Sequence, residues 1–150
     1  MKPLLVLLGA FLASLIILKL GFGEFDYSLS GRIAMSVMLL FTSIGHFVFS
    51  KGMILMMPDF IPFKNIFVYF TGLVEAAAAI GLLIHPLLHI TAILLIFFFI
   101  LILPANINAA IKHIDYQKAT NEGKGTKYLW FRIPLQVLFI AWTYFFALYL

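Results

Sequence analysis

The chain has 150 residues, of which 64% are hydrophobic and 11% charged, and its formal net charge is +4. Soluble domains carry about 45–50% apolar and about 25% charged residues, so lipid rather than water must be the solvent for most of this surface. Cysteine is absent, which excludes a disulfide framework, thiolate chemistry and cysteine-ligated metal clusters within the chain; no other metal site is expected.

Five apolar segments follow one another: Leu4–Leu20, Ile33–Phe49, Ile66–Ile84, Leu87–Ile111 and Leu129–Leu150. Each is close to the roughly 17–25 residues of a spanning helix. The first, within residues 1–23, has Lys2 ahead of it and Gly21-Phe22-Gly23 behind it, as a secretory signal would. It is long for such a signal, so a retained helix is expected. Its only polar residue between the flanking charges is Ser14, which places it at the periphery of the bundle.

The second segment is different. Arg32, Ser36, Ser43, His46 and Ser50 are spaced 4, 7, 3 and 4 residues apart, which puts them on one helical face. Between Lys51 and Lys64, an apolar Met53-Ile54-Leu55-Met56-Met57 meets Pro58-Asp59-Phe60-Ile61-Pro62. That predicts a short interfacial or re-entrant element capping one end of the bundle.

The third segment carries Glu75 at its centre, among Thr71, Gly72, Ala78 and Ala79. An unpaired charge at the middle of a bilayer costs roughly 3 kcal/mol or more, so Glu75 needs a partner, a proton or a water-filled pocket. Small residues around it allow a neighbouring helix to approach closely. The fourth segment contains Leu103-Pro104-Ala105-Asn106-Ile107-Asn108, where proline frees a backbone carbonyl that a neighbour must satisfy. Lys112 to Lys127 is the one hydrophilic stretch, with Asn121-Glu122-Gly123-Lys124-Gly125 as an expected flexible tip. The fifth segment repeats a polar stripe with Arg132, Gln136 and Thr143.

With five spans, Lys2, Lys51, Lys64, Lys112, Lys118, Lys124 and Lys127 fall on one side, and only Lys19 and Arg32 lie towards the other. Positive charge stays cytoplasmic, so the amino terminus is expected inside and the carboxyl terminus outside. The same scatter of basic residues argues for membrane topology rather than a nucleic-acid partner. Under this arrangement His46, Asn106, Asn108 and Arg132 lie towards the cytoplasmic ends of their helices, and Gln136 lies about one turn deeper than Arg132. A direct or bridged Glu75–Arg132 pair is expected, with His46, Glu75, Asn106 and Arg132 lining one cavity that opens to the cytoplasmic leaflet. The bland reading is a structural ion pair, with Asn106 and Asn108 mending the backbone around Pro104.

Several stretches in order resemble the DoxX family: Gly31-Arg32 with Gly45-His46-Phe47, Pro58-Asp59-Phe60-Ile61-Pro62, Thr71-Gly72-Leu73-Val74-Glu75, Leu103-Pro104-Ala105-Asn106 and Arg132-Ile133-Pro134-Leu135-Gln136. The resemblance covers about residues 31–146. It implies an all-α membrane protein of one domain, with a four-helix transmembrane core over residues 31–150 and one added amino-terminal helix. It also implies a multi-pass protein of a bacterial-type plasma membrane. The function implied is a subunit of a quinone-linked or oxidative-stress redox complex, in which Glu75, Arg132 and His46 act and Asn106, Asn108 and Gln136 bind the ligand. The cofactor would then be a quinone, whose carbonyl accepts hydrogen bonds from Arg132, His46 or Asn106 while Glu75 exchanges the proton. A partner subunit or a second copy would join it in the bilayer. The alternatives are a non-catalytic assembly protein, a proton-coupled small-solute carrier and, through His46 and His113, a haem protein.

Overall fold

The computed structural model describes residues 2–150, and no β-strand forms among them. Seven α-helices follow in order: α1 (Lys2–Phe22), α2 (Tyr27–Val48), α3 (Ser50–Met56), α4 (Lys64–Gly81), α5 (Leu88–Leu101), α6 (Leu103–Ile111) and α7 (Leu129–Tyr144). Four helical stretches are long and apolar enough to cross a membrane: Lys2–Phe22, Tyr27–Val48, His85–Ile111 and Gly125–Tyr149. That is the make-up of a multi-pass membrane protein. The remaining long helix, α4, has 18 residues and carries Lys64 at its start and Glu75 within it.

Helix ends depart from the apolar segments for local reasons. Helix α2 begins six residues before Ile33 because Asp26 caps it, its Oδ1 accepting from the Leu29 N–H at 2.8 Å. The fourth segment is two helices that meet at Ile102, with Pro104 in the first turn of α6. Proline has no N–H to continue the ladder, so the break falls just before it. The last turn, Phe145–Tyr149, widens so that the Leu150 N–H reaches the Phe145 carbonyl at 3.0 Å.

The core is a ring of four: α2 packs on α4, α4 on α5, α5 on α7, and α7 back on α2. Helices α4 and α7 therefore stand diagonally. In lipid, apolar surface gains little by leaving its solvent, so helix contact rests on close packing and internal hydrogen bonds. The interior is accordingly made of small and well-filled positions: Ala34, Met35, Met38 and Leu39 from α2, Ala78 and Ala79 from α4, Ala92, Leu95 and Phe99 from α5, and Phe139 from α7. Helix α1 lies outside the ring against α2. Leu7 is fully buried there, while Leu5, Leu12, Ile16 and Ile17 face outwards, as a peripheral helix should. Phe11 meets Trp142 edge-on at 5.1 Å, and the Trp142 indole N–H donates to the Gly31 carbonyl at 3.0 Å, tying α1, α2 and α7 together.

A second layer closes the α3 end. Asn108 Nδ2 donates to the Met56 carbonyl at 2.8 Å, fastening α6 to the end of α3. The stretch from Lys112 to Lys127 is built rather than loose. Asp115 and Thr120 exchange backbone hydrogen bonds at 2.8 and 3.3 Å, and Asp115 Oδ1 accepts from the Gln117 and Lys118 N–H groups. The expected flexible tip is held as well, because the Gly123 N–H donates to the His113 carbonyl at 2.6 Å. This lobe lies on α3 so closely that a Cβ at Gly52 would overlap the Tyr116 carbonyl oxygen. Beside it, the exposed Asp59 bridges Lys64 at 3.0 Å and Lys112 at 2.6 Å. The lysines, Lys112 first, hold the Asp59 carboxyl below its usual value of 3.8.

Candidate functional site

The partner of Glu75 is His46. Imidazole Nε2 lies 3.5 Å from Glu75 Oε1, and the two side chains are 15% and 6% exposed. The pair is possible because α2 and α4 nearly touch at Gly72, where a Cβ would sit 2.8 Å from His46 Cβ. Ser43 Oγ donates to the Gly72 carbonyl at 2.8 Å and holds that approach.

The other face of the imidazole fixes its chemistry. Nδ1 lies 2.9 Å from the Val68 carbonyl and 3.1 Å from Thr71 Oγ1. A carbonyl only accepts, so Nδ1 carries a hydrogen, an assignment drawn from the network. A further proton can sit on either Nε2 or Oε1. Both placements leave the pair neutral overall, imidazolium with carboxylate or imidazole with carboxylic acid, and neutrality is what an apolar interior favours. Glu75 Oε2 is buried without a protein hydrogen-bond partner. This half of the carboxyl is the one open valence in the pair.

Arg132 belongs to a different cluster. It donates from Nη1 to Asn106 Oδ1, Asn106 Nδ2 lies 3.5 Å from Gln136 Oε1, and Gln136 Nε2 donates to the Phe99 carbonyl at 2.7 Å. Phe99 sits in the last turn of α5, where carbonyls run out of helical N–H partners. The guanidinium also rests over the rings of Tyr128 at 5.3 Å and Tyr116 at 5.6 Å, a cation–π arrangement. Arg132 forms no ion pair with Glu75, since their helices are diagonal. The expected pair is therefore replaced by His46–Glu75 on one side and Arg132–Asn106–Gln136 on the other. The bland reading of the asparagines also changes: Asn106 serves Arg132, and Asn108 serves α3.

His46 and Glu75 thus stand in one cluster, and Asn106 and Arg132 in another. A cavity of about 630 Å³ opens at the opposite end of α2, lined by Glu24, Phe25, Asp26, Tyr27, Ser28, Phe145, Phe146 and Leu150. None of the six expected site residues reaches it. His85 and His89 lie at the turn between α4 and α5, and His113 Nδ1 lies 3.2 Å from the Ile111 carbonyl in its own lobe.

Sequence reading missed Thr71, Tyr116 and Val68 as partners. Tyr128 carried a usable signal, since it lies four residues before Arg132 and so shares its face. Tyr116 carried none, because its contact depends on how the lobe folds back. A family model for a domain of unknown function, DUF8561, matches residues 35–147. The chain belongs to the DUF8561 family. The DUF8561 stretch takes in both polar clusters and leaves α1 outside. No curated protein and no solved structure matches the chain.

Proposed function

We propose that this DUF8561 protein is a DoxX-like component of a quinone-linked or oxidative-stress redox complex, and that its His46–Glu75 pair handles the proton. In this reading α4 is a fifth span, and the amino terminus, α3 and the 112–127 lobe are cytoplasmic, in a bacterial-type plasma membrane. The observation that carries the reading is the buried His46–Glu75 pair with Oε2 unpartnered. An acid kept inside a membrane bundle with one oxygen free marks a functional site before a structural one. A quinone would supply the electron chemistry. The chain would offer its carbonyl one N–H or O–H from the pair, between α2 and α4, where His46 and Thr71 are half-buried. Arg132 and Asn106 then act at a distance, by holding α7 on the α5–α6 break.

The test is extraction of the purified protein with native lipid, followed by quantification of quinone in wild type and Glu75→Gln. Bound quinone in wild type and its loss in the variant support the reading; equal amounts in both refute it.

The internal partners of the remaining polar residues favour another reading. Arg132, Asn106, Gln136 and Asn108 are all occupied by partners inside the bundle, as in a non-catalytic assembly protein whose polar groups fix helix register. That reading predicts no quinone, and capture of a defined partner subunit that survives Glu75→Gln.

A further inference from the structure

The surroundings of the His46–Glu75 pair are asymmetric along the bundle. Towards the α1–α2 turn, the space between α2 and α4 is filled by Met35, Met38, Leu39, Ala78, Ala79 and Leu82, none more than 9% exposed. No titratable side chain is among the buried residues of that stretch, and the buried Ser36 Oγ there has no hydrogen-bond partner to which a proton could pass. Towards α3 the picture reverses. His46 is two residues from the end of α2, and its ring leads from Glu75 Oε1 at Nε2 to Thr71 Oγ1 at Nδ1, over contacts of 3.5 and 3.1 Å. Thr71 is half-buried and also donates to the Phe67 and Val68 carbonyls at 2.9 Å. It lies about 10 Å from the start of α4, whereas Glu75 lies about 16 Å in.

We propose that Glu75 exchanges its proton with one face of the membrane only, the face on which α3 lies, through His46 and Thr71. The idea rests on the proton-handling reading above and adds its direction and its path. In release, the Oε1–H bond of Glu75 breaks and an Nε2–H bond forms. The Nδ1–H proton of the imidazolium passes to Thr71 Oγ1 as the threonine hydroxyl turns from the Phe67 and Val68 carbonyls and gives its own proton to water at the α3 end. One proton leaves the pair, Glu75 is left anionic, and no electron moves. Turning of either side chain closes the 3.5 Å gap for the first step. Thr71 is the relay residue here, and the Val68 carbonyl is the positioning group that keeps the ring in the tautomer from which release starts. A one-sided site of this kind couples chemistry at the pair to proton uptake from a single compartment.

The experiment follows the His46 ring N–H by ¹⁵N-histidine nuclear magnetic resonance in lipid nanodiscs, with His46→Gln to assign it. Thr71→Val keeps the shape of the side chain and removes the hydroxyl. It should slow solvent exchange of the His46 N–H by about tenfold, the rate equivalent of a lost hydrogen-bonding step. Thr71→Ser should restore the rate, which separates loss of the relay from damage to the helix. Sidedness is read in sealed vesicles with an impermeant thiosulfonate on Thr71→Cys and Ser36→Cys, since the native chain has no cysteine. Modification at position 71 from the α3 face alone, with none at position 36 from either face, is the expected result. Unchanged exchange in Thr71→Val, or modification at position 36, would overturn the proposal. Failure of a quinone to copurify would instead remove the redox reading and leave these rates as they are.

Discussion

Removing His46 should destabilise the bundle through what it leaves behind. Glu75 is 6% exposed, Oε2 has no protein partner, and Oε1 lies 3.5 Å from the imidazole. In His46→Leu both carboxyl oxygens are therefore stranded. Breaking a buried ion pair from one side costs about 3–5 kcal/mol. The contact here is long, so a loss of about 2–3 kcal/mol is expected. Glu75→Met removes the stranded group itself, and the double variant should lose only about 1 kcal/mol, because an apolar replacement of a buried pair is close to neutral. With a loss of about 0.5–1 kcal/mol for Glu75→Met alone, the coupling between positions 46 and 75 is about 2 kcal/mol. Reversible unfolding in mixed micelles, followed by circular dichroism, measures all four proteins of the cycle. A second cycle pairs Glu75→Met with Arg132→Met. Their helices are diagonal, so those losses should add to within about 0.5 kcal/mol. Additivity at 46 and 75 together with coupling at 75 and 132 would refute the pairing.

Gly52→Ala should lift the 112–127 lobe from α3, because the new Cβ overlaps the Tyr116 carbonyl. A cost of about 1–3 kcal/mol is expected from such overpacking, and faster proteolysis between residues 117 and 124 reports it; wild-type resistance would show that the lobe rests elsewhere. Gly72→Leu should separate α2 from α4 and lower the melting temperature more than Gly45→Leu, since position 72 meets His46 Cβ at 2.8 Å whereas position 45 meets Met53 Cε at 3.7 Å. The Asp59 carboxyl is depressed by Lys112 and Lys64. Its contribution is therefore present above its unfolded value of about 3.8 and is lost as pH falls through the lower folded value. Melting temperature should thus not respond to Asp59 between pH 5 and 8, roughly the plateau of most proteins, and the acid-side decline should be shallower in Asp59→Asn. Thr126→Cys in sealed cells should react with an impermeant maleimide only after permeabilisation; labelling of intact cells would reverse the proposed orientation.

Much of this protein is determined by one-dimensional pattern. Apolar length settles which stretches become long helices, because in lipid only a helix satisfies its own backbone. Proline at position 104 places the α5–α6 break, and Ser14 as the one polar residue between the charges flanking the first segment leaves α1 outside the ring. The need of Glu75 for a partner was legible too, since it follows from charge in an apolar run. The identity of that partner was not. Helical period says that His46 and Ser43 share a face, and that Arg132 and Gln136 share another, but it carries nothing about which face meets which across the bundle. That choice falls to tertiary packing: Gly72 lets α2 and α4 close on each other, and the diagonal placement of α4 and α7 keeps the arginine from the glutamate. The lobe at the α3 end was equally beyond reach, because polar composition reads as a loop, whereas the fit of Tyr116 on Gly52 and of Arg132 over Tyr116 exists only once distant segments share space.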